Sequence, residues 1–167
     1  SFCRLLLIAG NETTPGLITA SARIFHEQPQ TLARLKAQPE LASSFVEEAL
    51  RFYSPFSATV RRTTKSVEIA GQTIAAGELV VPLIASANRD ERVFDAADTF
   101  QIDRSPNQHL GLGFGIHVCL GAHLARLEGT IVAEQMAERY SSVMLTEPKT
   151  ATVGELGGPK QLNVVVS

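Results

Sequence analysis

The residues best suited to chemistry lie in one short stretch, residues 111–121, which holds Cys119 and four glycines. Glycine loses more backbone entropy on ordering than any other residue, so this stretch favours a loop over a helix or strand. Residues 122–128 follow it directly and are strongly helix-forming. Unpaired backbone N–H groups and the positive end of a helix dipole stabilise an anionic sulfur at such a junction. The pattern therefore predicts a thiolate that can bind a metal.

From these residues alone, three interpretations of the stretch stay open. A glycine-rich loop before a helix can hold phosphate, but Ile116 and Val118 occupy the third-glycine position in the two possible registers of Gly-x-Gly-x-x-Gly. A zinc site is the second interpretation, with His117, Cys119 and His123 as ligands at close spacing. The third is a buried core thiol, a common role for an isolated cysteine.

A second group of candidate residues interrupts the helix predicted over residues 2–27. Pro15 has no N–H for the carbonyl of Asn11, so the helical pattern weakens there. One interpretation is two helices joined by a turn. The other is one long helix, opened locally, in which Glu12 and Thr13 face a ligand that needs a carboxylate and a hydroxyl.

Charged pairs add two further expectations. Glu48 and Arg51 stand three residues apart in a predicted helix and share a face, where a solvated surface pair would contribute well under ~1 kcal/mol. Arg61 and Arg62 are neighbours in a predicted strand and should point to opposite faces. We therefore expect one of the two arginines to face the interior and to meet an anion.

Periodicity predicts a mainly α fold with small antiparallel β-sheets, in a single domain over residues 1–167. The first helix is apolar on all sides over residues 2–8, which predicts a buried helix. A long irregular segment, residues 92–110, is expected to be functional or to fold around another group. The predicted helices are 2–27, 30–37, 39–52 and 120–140, the predicted strands 58–63, 66–70, 72–74, 78–85, 143–145 and 162–166, and the predicted turn region 149–160, with one small sheet formed by the strands between 58 and 85.

The composition sets broad limits. The chain has 167 residues, of which 44% are hydrophobic and 19% charged, with a net charge of −2. These values are typical of a soluble globular protein and argue against nucleic acid or an anionic membrane as partner. Cys3 and Cys119 are too few for a disulfide framework, so a reducing compartment is expected. Because the sequence lacks an initial Met and starts within a helical pattern, we expect a fragment of a longer protein.

The cysteine stretch closely resembles a known signature. Gly113, Gly115, His117, Cys119 and Gly121 spell Gly-x-Gly-x-His-x-Cys-x-Gly, which resembles the heme-binding signature of the cytochrome P-450 (heme-thiolate monooxygenase) family of the soluble bacterial type. The chain would be the C-terminal, heme-binding portion of that fold. Other stretches resemble family motifs in the same order: Ala9-Gly10-x-Glu12-Thr13 (oxygen activation), Glu48-x-x-Arg51 (a buried ion pair behind the heme), Arg61 (a propionate contact), Asn88-Arg89-Asp90 and Leu124-Ala125-Arg126.

The resemblance implies heme b with the Cys119 thiolate as axial ligand of the iron. A thiolate there pushes electron density onto the iron and favours O–O cleavage. Where the family usually has Phe, this sequence has Leu112, which implies a retained ligand in a slightly different pocket. The implied heme contacts are Ala9, Gly10, Arg61, His109, Leu112, Gly113, Phe114, His117 and Gly121, with a solvent-exposed loop position as the alternative for His109.

The resemblance also implies an oxidoreductase that inserts one atom of O2 into a small apolar organic substrate. Glu12 would be a buried carboxylate that relays protons, and Thr13 would bind the oxygen or an ordered water. Electrons would come from a ferredoxin or flavodoxin-type donor that Arg126 could face, in the cytoplasm. A non-catalytic heme or electron-transfer protein is the alternative, since it has no need of Thr13. The implied substrate border is Leu5, Ile8, residues 57–60 and Leu156.

Overall fold

Helices dominate the computed structural model, which describes residues 2–146 and 162–167. The sheets are short antiparallel pairs, so the predicted fold class is confirmed. The helices are α1 (Phe2–Glu27), α2 (Pro29–Ala37), α3 (Ala42–Phe52), α4 (Ile84–Ala87) and α5 (Ala122–Arg139), with 3-10 turns at Pro39–Leu41 and Gly115–His117; the strands are β1 (Arg61–Arg62), β2 (Val67–Ile69), β3 (Gln72–Ile74), β4 (Leu79–Val80), β5 (Val143–Leu145) and β6 (Val164–Val166).

Helix α1 is continuous through Pro15, so the two-helix interpretation is wrong. Its buried residues all lie between Gly16 and Phe25, where it contacts the rest of the fold. The apolar start of α1 was predicted to be buried, but Leu5 is 62% and Leu7 73% exposed. The prediction fails because apolar character on all sides indicates what a helix can bury, whereas burial needs another element to cover it.

The core joins the second half of α1 to α2, α3 and α5. Phe25 stacks on Phe45 with ring centroids 5.0 Å apart, and Phe100 meets Phe45 edge-on at 5.7 Å. Helix α5 buries only small residues in this core, because a Cβ added at Gly129 would lie 2.8 Å from Leu17 Cδ2. This close approach fixes α5, and hence the loop before it, against α1 and α3.

The strands form three separate two-stranded sheets, β1–β4, β2–β3 and β5–β6, so the single sheet predicted between residues 58 and 85 is wrong. Ala70 and Gly71 have φ values of 51° and 77°, which allow the tight turn between β2 and β3. Arg61 and Arg62 are both exposed, which contradicts the expectation that one faces the interior. Strands this short cover no core layer, so β1 has no buried face.

The segment 92–110 has no helix or strand, as predicted, and four of its apolar residues are buried. Phe94, Ala97, Phe100 and Ile102 are buried. The predicted turn region 149–160 and the implied substrate contact Leu156 lie outside the described residues. Among the residues that are described, no helix combines the length and the apolar character needed to cross a membrane.

Candidate functional site

A cavity of about 490 Å³ lies between α1, the β1 region and the loop of residues 111–121, hereafter the cysteine loop. Its walls are mostly apolar, and Leu17, Leu50 and Phe56 line it together with residues singled out from the sequence. The structure therefore brings together, from distant parts of the chain, Leu5, Ile8, Ala9, Thr13, Thr59, Arg61, Leu112, Gly113, Phe114, His117 and Cys119.

The cysteine loop folds back on itself. The Cys119 N–H donates a hydrogen bond to the Leu112 carbonyl over 2.8 Å, which closes the loop. Helix α5 begins at Ala122, two residues later than predicted, and Gly121 is its N-cap. Cys119 is exposed, so the interpretation as a buried core thiol is wrong. Its side chain lines the cavity and is available to a ligand.

Two glycines make this loop conformation possible. Gly113 has a φ of 78°, and a Cβ there would lie 2.3 Å from the His117 carbonyl oxygen. A Cβ at Gly111 would lie 2.7 Å from the Leu50 carbonyl oxygen of α3. A larger residue at Gly111 would push the loop away from α3, and one at Gly113 would break the fold of the loop on itself.

Helix α1 contributes a hydroxyl to the cavity. The half-buried Thr13 donates its hydroxyl hydrogen to the Ala9 carbonyl over 2.6 Å, which leaves its oxygen able to accept a hydrogen bond. Glu12 was expected to be buried, but it is exposed and stands apart from the cavity lining in the described part of the chain. Adjacent helical residues point about 100° apart, so Thr13 and Glu12 do not share a face.

Cationic and N–H donor groups also reach the cavity. Arg61 lines it and donates through Nη1 to Thr59 Oγ1 over 2.8 Å and to the Val60 carbonyl over 2.9 Å. His117 lines it from the cysteine loop. These two side chains can donate hydrogen bonds to an anionic group of a ligand.

His109 was expected either to contact the heme or to lie in solvent, and its position in the structure differs from both. Its side chain is 3% exposed, which excludes the solvent-exposed alternative. Nδ1 accepts a hydrogen bond from the Gly111 N–H over 3.0 Å, so Nε2 carries the proton and donates to Glu47 Oε2 over 3.2 Å. Because both ring nitrogens bind protein groups, His109 fixes the entry to the cysteine loop and has no nitrogen left for a propionate.

Glu48 and Arg51 form a fully buried pair, so the surface interpretation is wrong. The Arg51 guanidinium donates to both carboxylate oxygens of Glu48 over 2.8 Å. It also donates to the carbonyls of Asn88 and Ala97 over 2.8 and 2.7 Å. With the Thr99 carbonyl, which accepts the fifth N–H over 3.0 Å, these carbonyls satisfy the remaining N–H groups of a cation that would otherwise be costly to bury.

Arg104 belongs to this network, and the sequence reasoning missed it. Its Nε lies 3.0 and 3.1 Å from the two carboxylate oxygens of Glu48, and its side chain is 6% exposed. The Gln101 N–H and the Asn107 amide also donate to Glu48. The 92–110 segment is therefore folded around this carboxylate. An arginine close to the apolar pair Phe100 and Ile102 was the available signal.

Glu47, the neighbour of Glu48, was also missed. The Arg126 guanidinium donates to its two carboxylate oxygens over 2.7 and 3.0 Å, and His109 donates to one of them. Burial alone would raise the pKa of Glu47, but the hydrogen bonds from His109 and Arg126 outweigh it and lower the pKa to about 2. Glu47 is therefore an anion at neutral pH.

The side chains that line the cavity indicate which cofactor it can hold. In residues 2–146 and 162–167, no three His, Cys, Asp or Glu side chains lie close enough together to hold a metal ion. This contradicts the zinc interpretation of His117, Cys119 and His123. Apolar walls, one accessible thiol and the side chains of Arg61 and His117 fit heme, which needs an apolar slot, an axial ligand and donors for its propionates.

Comparison with known proteins agrees with this fit. The sequence model of the family described as Cytochrome P450 matches residues 21–162. The chain is 44% identical over 147 residues to the biotin biosynthesis cytochrome P450 of Bacillus subtilis, covering 88% of this chain and 37% of that protein. It is 44% identical over 160 residues to cytochrome P450 119 of Sulfolobus acidocaldarius, covering 96% of this chain and 43% of that protein.

Solved structures show the same fold. The crystal structure of CYP109E1 from Bacillus megaterium with corticosterone matches with a TM-score of 0.91 at 41% identity, over 98% of this chain and 45% of that one. P450BioI in complex with an acyl carrier protein carrying hexadec-9Z-enoic acid matches with a TM-score of 0.90 at 40% identity, over 99% of this chain and 43% of that one. The chain belongs to the cytochrome P450 family, whose members are heme monooxygenases, and it spans about two fifths of the curated relatives' length.

Proposed function

We propose that this chain is the C-terminal, heme-binding part of a monooxygenase that inserts one atom of O2 into an apolar organic substrate. The observation that carries the proposal is the exposed Cys119 in the same apolar cavity as the Thr13 hydroxyl. Cys119 would hold the heme b iron as a thiolate. Arg61 and His117 would donate to the propionates, and Ala9, Leu112 and Phe114 would contact the ring.

Heme ligated by a thiolate supplies O2 binding and O–O bond cleavage. The chain's own residues would deliver the protons. The Thr13 oxygen can accept a hydrogen bond from a water in the cavity while its hydrogen is held by Ala9. Pro15 gives no N–H to the Asn11 carbonyl, which lies one helical turn before it. This free carbonyl can therefore accept a hydrogen bond from a water. Glu12, being exposed, would exchange protons with solvent.

The apolar walls favour a small to medium apolar substrate. Two relatives are consistent with this chemistry, since CYP109E1 was solved with corticosterone and P450BioI with an acyl chain on its carrier protein. The electron donor would be a ferredoxin or flavodoxin-type protein in the cytoplasm, and the half-exposed Arg126 is a candidate contact for it. Without Thr13 in the cavity, a non-catalytic heme or electron-transfer protein would explain the site equally well.

The absorbance spectrum of the reduced, carbon-monoxide-bound, full-length protein tests heme ligation. We expect a red-shifted Soret band that is lost in Cys119→Ser, because a serine hydroxyl does not replace the thiolate. Cys3→Ser is the matched control, since Cys3 is also an exposed free cysteine and should leave the band unchanged. A wild-type protein without the shifted band would overturn the proposal.

Thr13→Ala tests the catalytic step. We expect peroxide release per O2 consumed to rise severalfold, because the hydroxyl no longer orders the proton supply. Thr19→Ala is the control, since the Thr19 hydroxyl donates to the Gly16 carbonyl on the same helix. Unchanged coupling of O2 to product in Thr13→Ala would remove Thr13 from the mechanism and favour the electron-transfer alternative.

A further inference from the structure

Glu47 connects the two ends of the cysteine loop. At the entry, it accepts a hydrogen bond from His109, whose Nδ1 accepts the Gly111 N–H. At the exit, it accepts two hydrogen bonds from Arg126, which lies on the second turn of α5. One carboxylate on α3 therefore holds both flanks of the loop that carries the cysteine.

The entry contact reaches the sulfur through a short series of bonds. Gly111 cannot move towards α3, because even a Cβ there would contact the Leu50 carbonyl at 2.7 Å. With Gly111 fixed, the next residue, Leu112, presents its carbonyl to the Cys119 N–H. Glu47 thus holds His109, His109 holds Gly111, and the residue after Gly111 accepts the hydrogen bond from the Cys119 N–H.

The exit contact acts through charge. The pKa of Arg126 is raised, chiefly by the hydrogen bonds to Glu47, and the charge of Cys119 also raises it. Arg126 lies seven residues after Cys119, on the second turn of the helix whose N-cap, Gly121, follows the cysteine loop. Glu47, an anion at neutral pH, compensates much of the positive charge that Arg126 would otherwise present to a thiolate.

We propose that Glu47 is a positioning residue for the Cys119 thiolate, which fixes the cysteine loop through His109 and balances the charge of Arg126 on the helix that follows the cysteine. The inference rests on the proposed function, since it assumes that the thiolate holds heme. A cation near a thiolate lowers its donation to the iron, so loss of Glu47 should favour the reduced heme.

The test is the reduction potential of heme in the full-length protein, with two variants that should move it in opposite directions. Glu47→Gln removes the anion and leaves Arg126 uncompensated, so the potential should rise. Arg126→Met removes the cation, so the potential should fall. We expect each variant to change the equilibrium constant for reduction by about tenfold, which is about 59 mV for one electron. The double variant should return close to the wild-type value.

Controls separate this effect from a general loss of structure. Glu134→Gln removes an exposed carboxylate of α5 and should change the equilibrium constant less than twofold. His109→Ala should increase the fraction of unshifted Soret band in the carbon-monoxide spectrum, because Gly111 loses its acceptor. A purely structural role would move Glu47→Gln and Arg126→Met in the same direction or not at all.

Shifts of the same sign, or shifts no larger than that of Glu134→Gln, overturn the inference. If Glu47→Gln fails to take up heme, the fall expected for Arg126→Met decides the question alone. A wild-type protein without the red-shifted band would instead overturn the proposed function, and the inference with it. A shifted wild-type band with variants that match the control overturns the inference only.

Discussion

Glu47 and Glu48 are neighbours on α3, but they serve two different regions of the molecule. Glu48 is 0% exposed and binds Arg51, Arg104 and the 92–110 segment. The side chain of Glu47 is 29% exposed and binds His109 and Arg126 at the two ends of the cysteine loop. The same residue type, one position apart, thus organises a buried fold network on one side and the edge of the cavity on the other.

The difference between the two glutamates shows that burial determines how much a charged side chain contributes to the free energy of unfolding. A buried carboxylate with two guanidinium partners cannot lose its charge without leaving uncompensated cations in the interior. Water can take the place of the partners of a half-exposed carboxylate, so the contribution of that carboxylate to the free energy of unfolding is small. We expect the Glu48 region to determine whether the chain folds, and the Glu47 region to determine how the folded site behaves.

The largest effect is expected for Glu48→Gln, which should lower the free energy of unfolding by about 3–5 kcal/mol, because Arg51 and Arg104 lose their counter-charge. Urea denaturation and the heme content of the full-length protein measure it. Glu40→Gln, in the exposed turn Pro39–Leu41, is the control. If Glu48→Gln lowered the free energy of unfolding by no more than about 1 kcal/mol beyond the control, Glu48 would contribute as little as an exposed carboxylate, and the described difference from Glu47 would be wrong.

A smaller effect is expected when acid titrates Glu47. Its pKa in the folded chain, about 2, lies below the ordinary value of 4.5, so its contribution to stability is complete above that ordinary value and is lost as the pH falls towards 2. Allowing for solvent screening, the contribution is about 1 kcal/mol. The stability difference between wild type and Glu47→Gln should therefore shrink between neutral pH and about pH 3. A difference that is constant over this range would contradict the assignment.

The smallest effect is expected for an ion pair on the solvent-exposed surface. Arg34 and Asp103 lie 2.8 Å apart, with side chains 46% and 57% exposed. Arg34→Ala should change the free energy of unfolding by less than about 0.5 kcal/mol, compared with Lys36→Ala, which removes another exposed cation of α2. Denaturation at low and high salt measures both variants. A loss near that of Glu48→Gln would show that burial is not what separates the two glutamates.

Much of the fold was predictable because its signals are local. Helical periodicity placed α2 and α5 within two residues of their ends, and Pro and Gly marked the turns. The strands between residues 58 and 85 were also located, but β1 and β4 are only two residues long, the end of the predicted strand 78–85 belongs to α4, and the assembly into two separate pairs was not predicted. Pairing depends on which strand edges meet in space, and this is not encoded in the alternation of a single strand.

The site divides in the same way. The cysteine signature pointed to Cys119, Gly113 and His117 in advance, because a loop that folds so tightly on itself admits few residue types. The roles of His109, Arg104 and Glu47 were not predictable. Their partners lie far away in the sequence, as with Glu48 and Arg104 at a separation of 56 residues.

The sequence by itself determined the helices, the cysteine loop and the family, since these follow from local hydrogen bonding, side-chain spacing and a specific motif. Only the tertiary structure decided that α1 runs unbroken through Pro15 but is exposed at its start, and that Glu47 and Glu48 face different regions. The physical reason is that burial and charge pairing depend on which distant segments cover a residue. Adjacent positions on one helix can therefore carry the same side chain and have different structural roles.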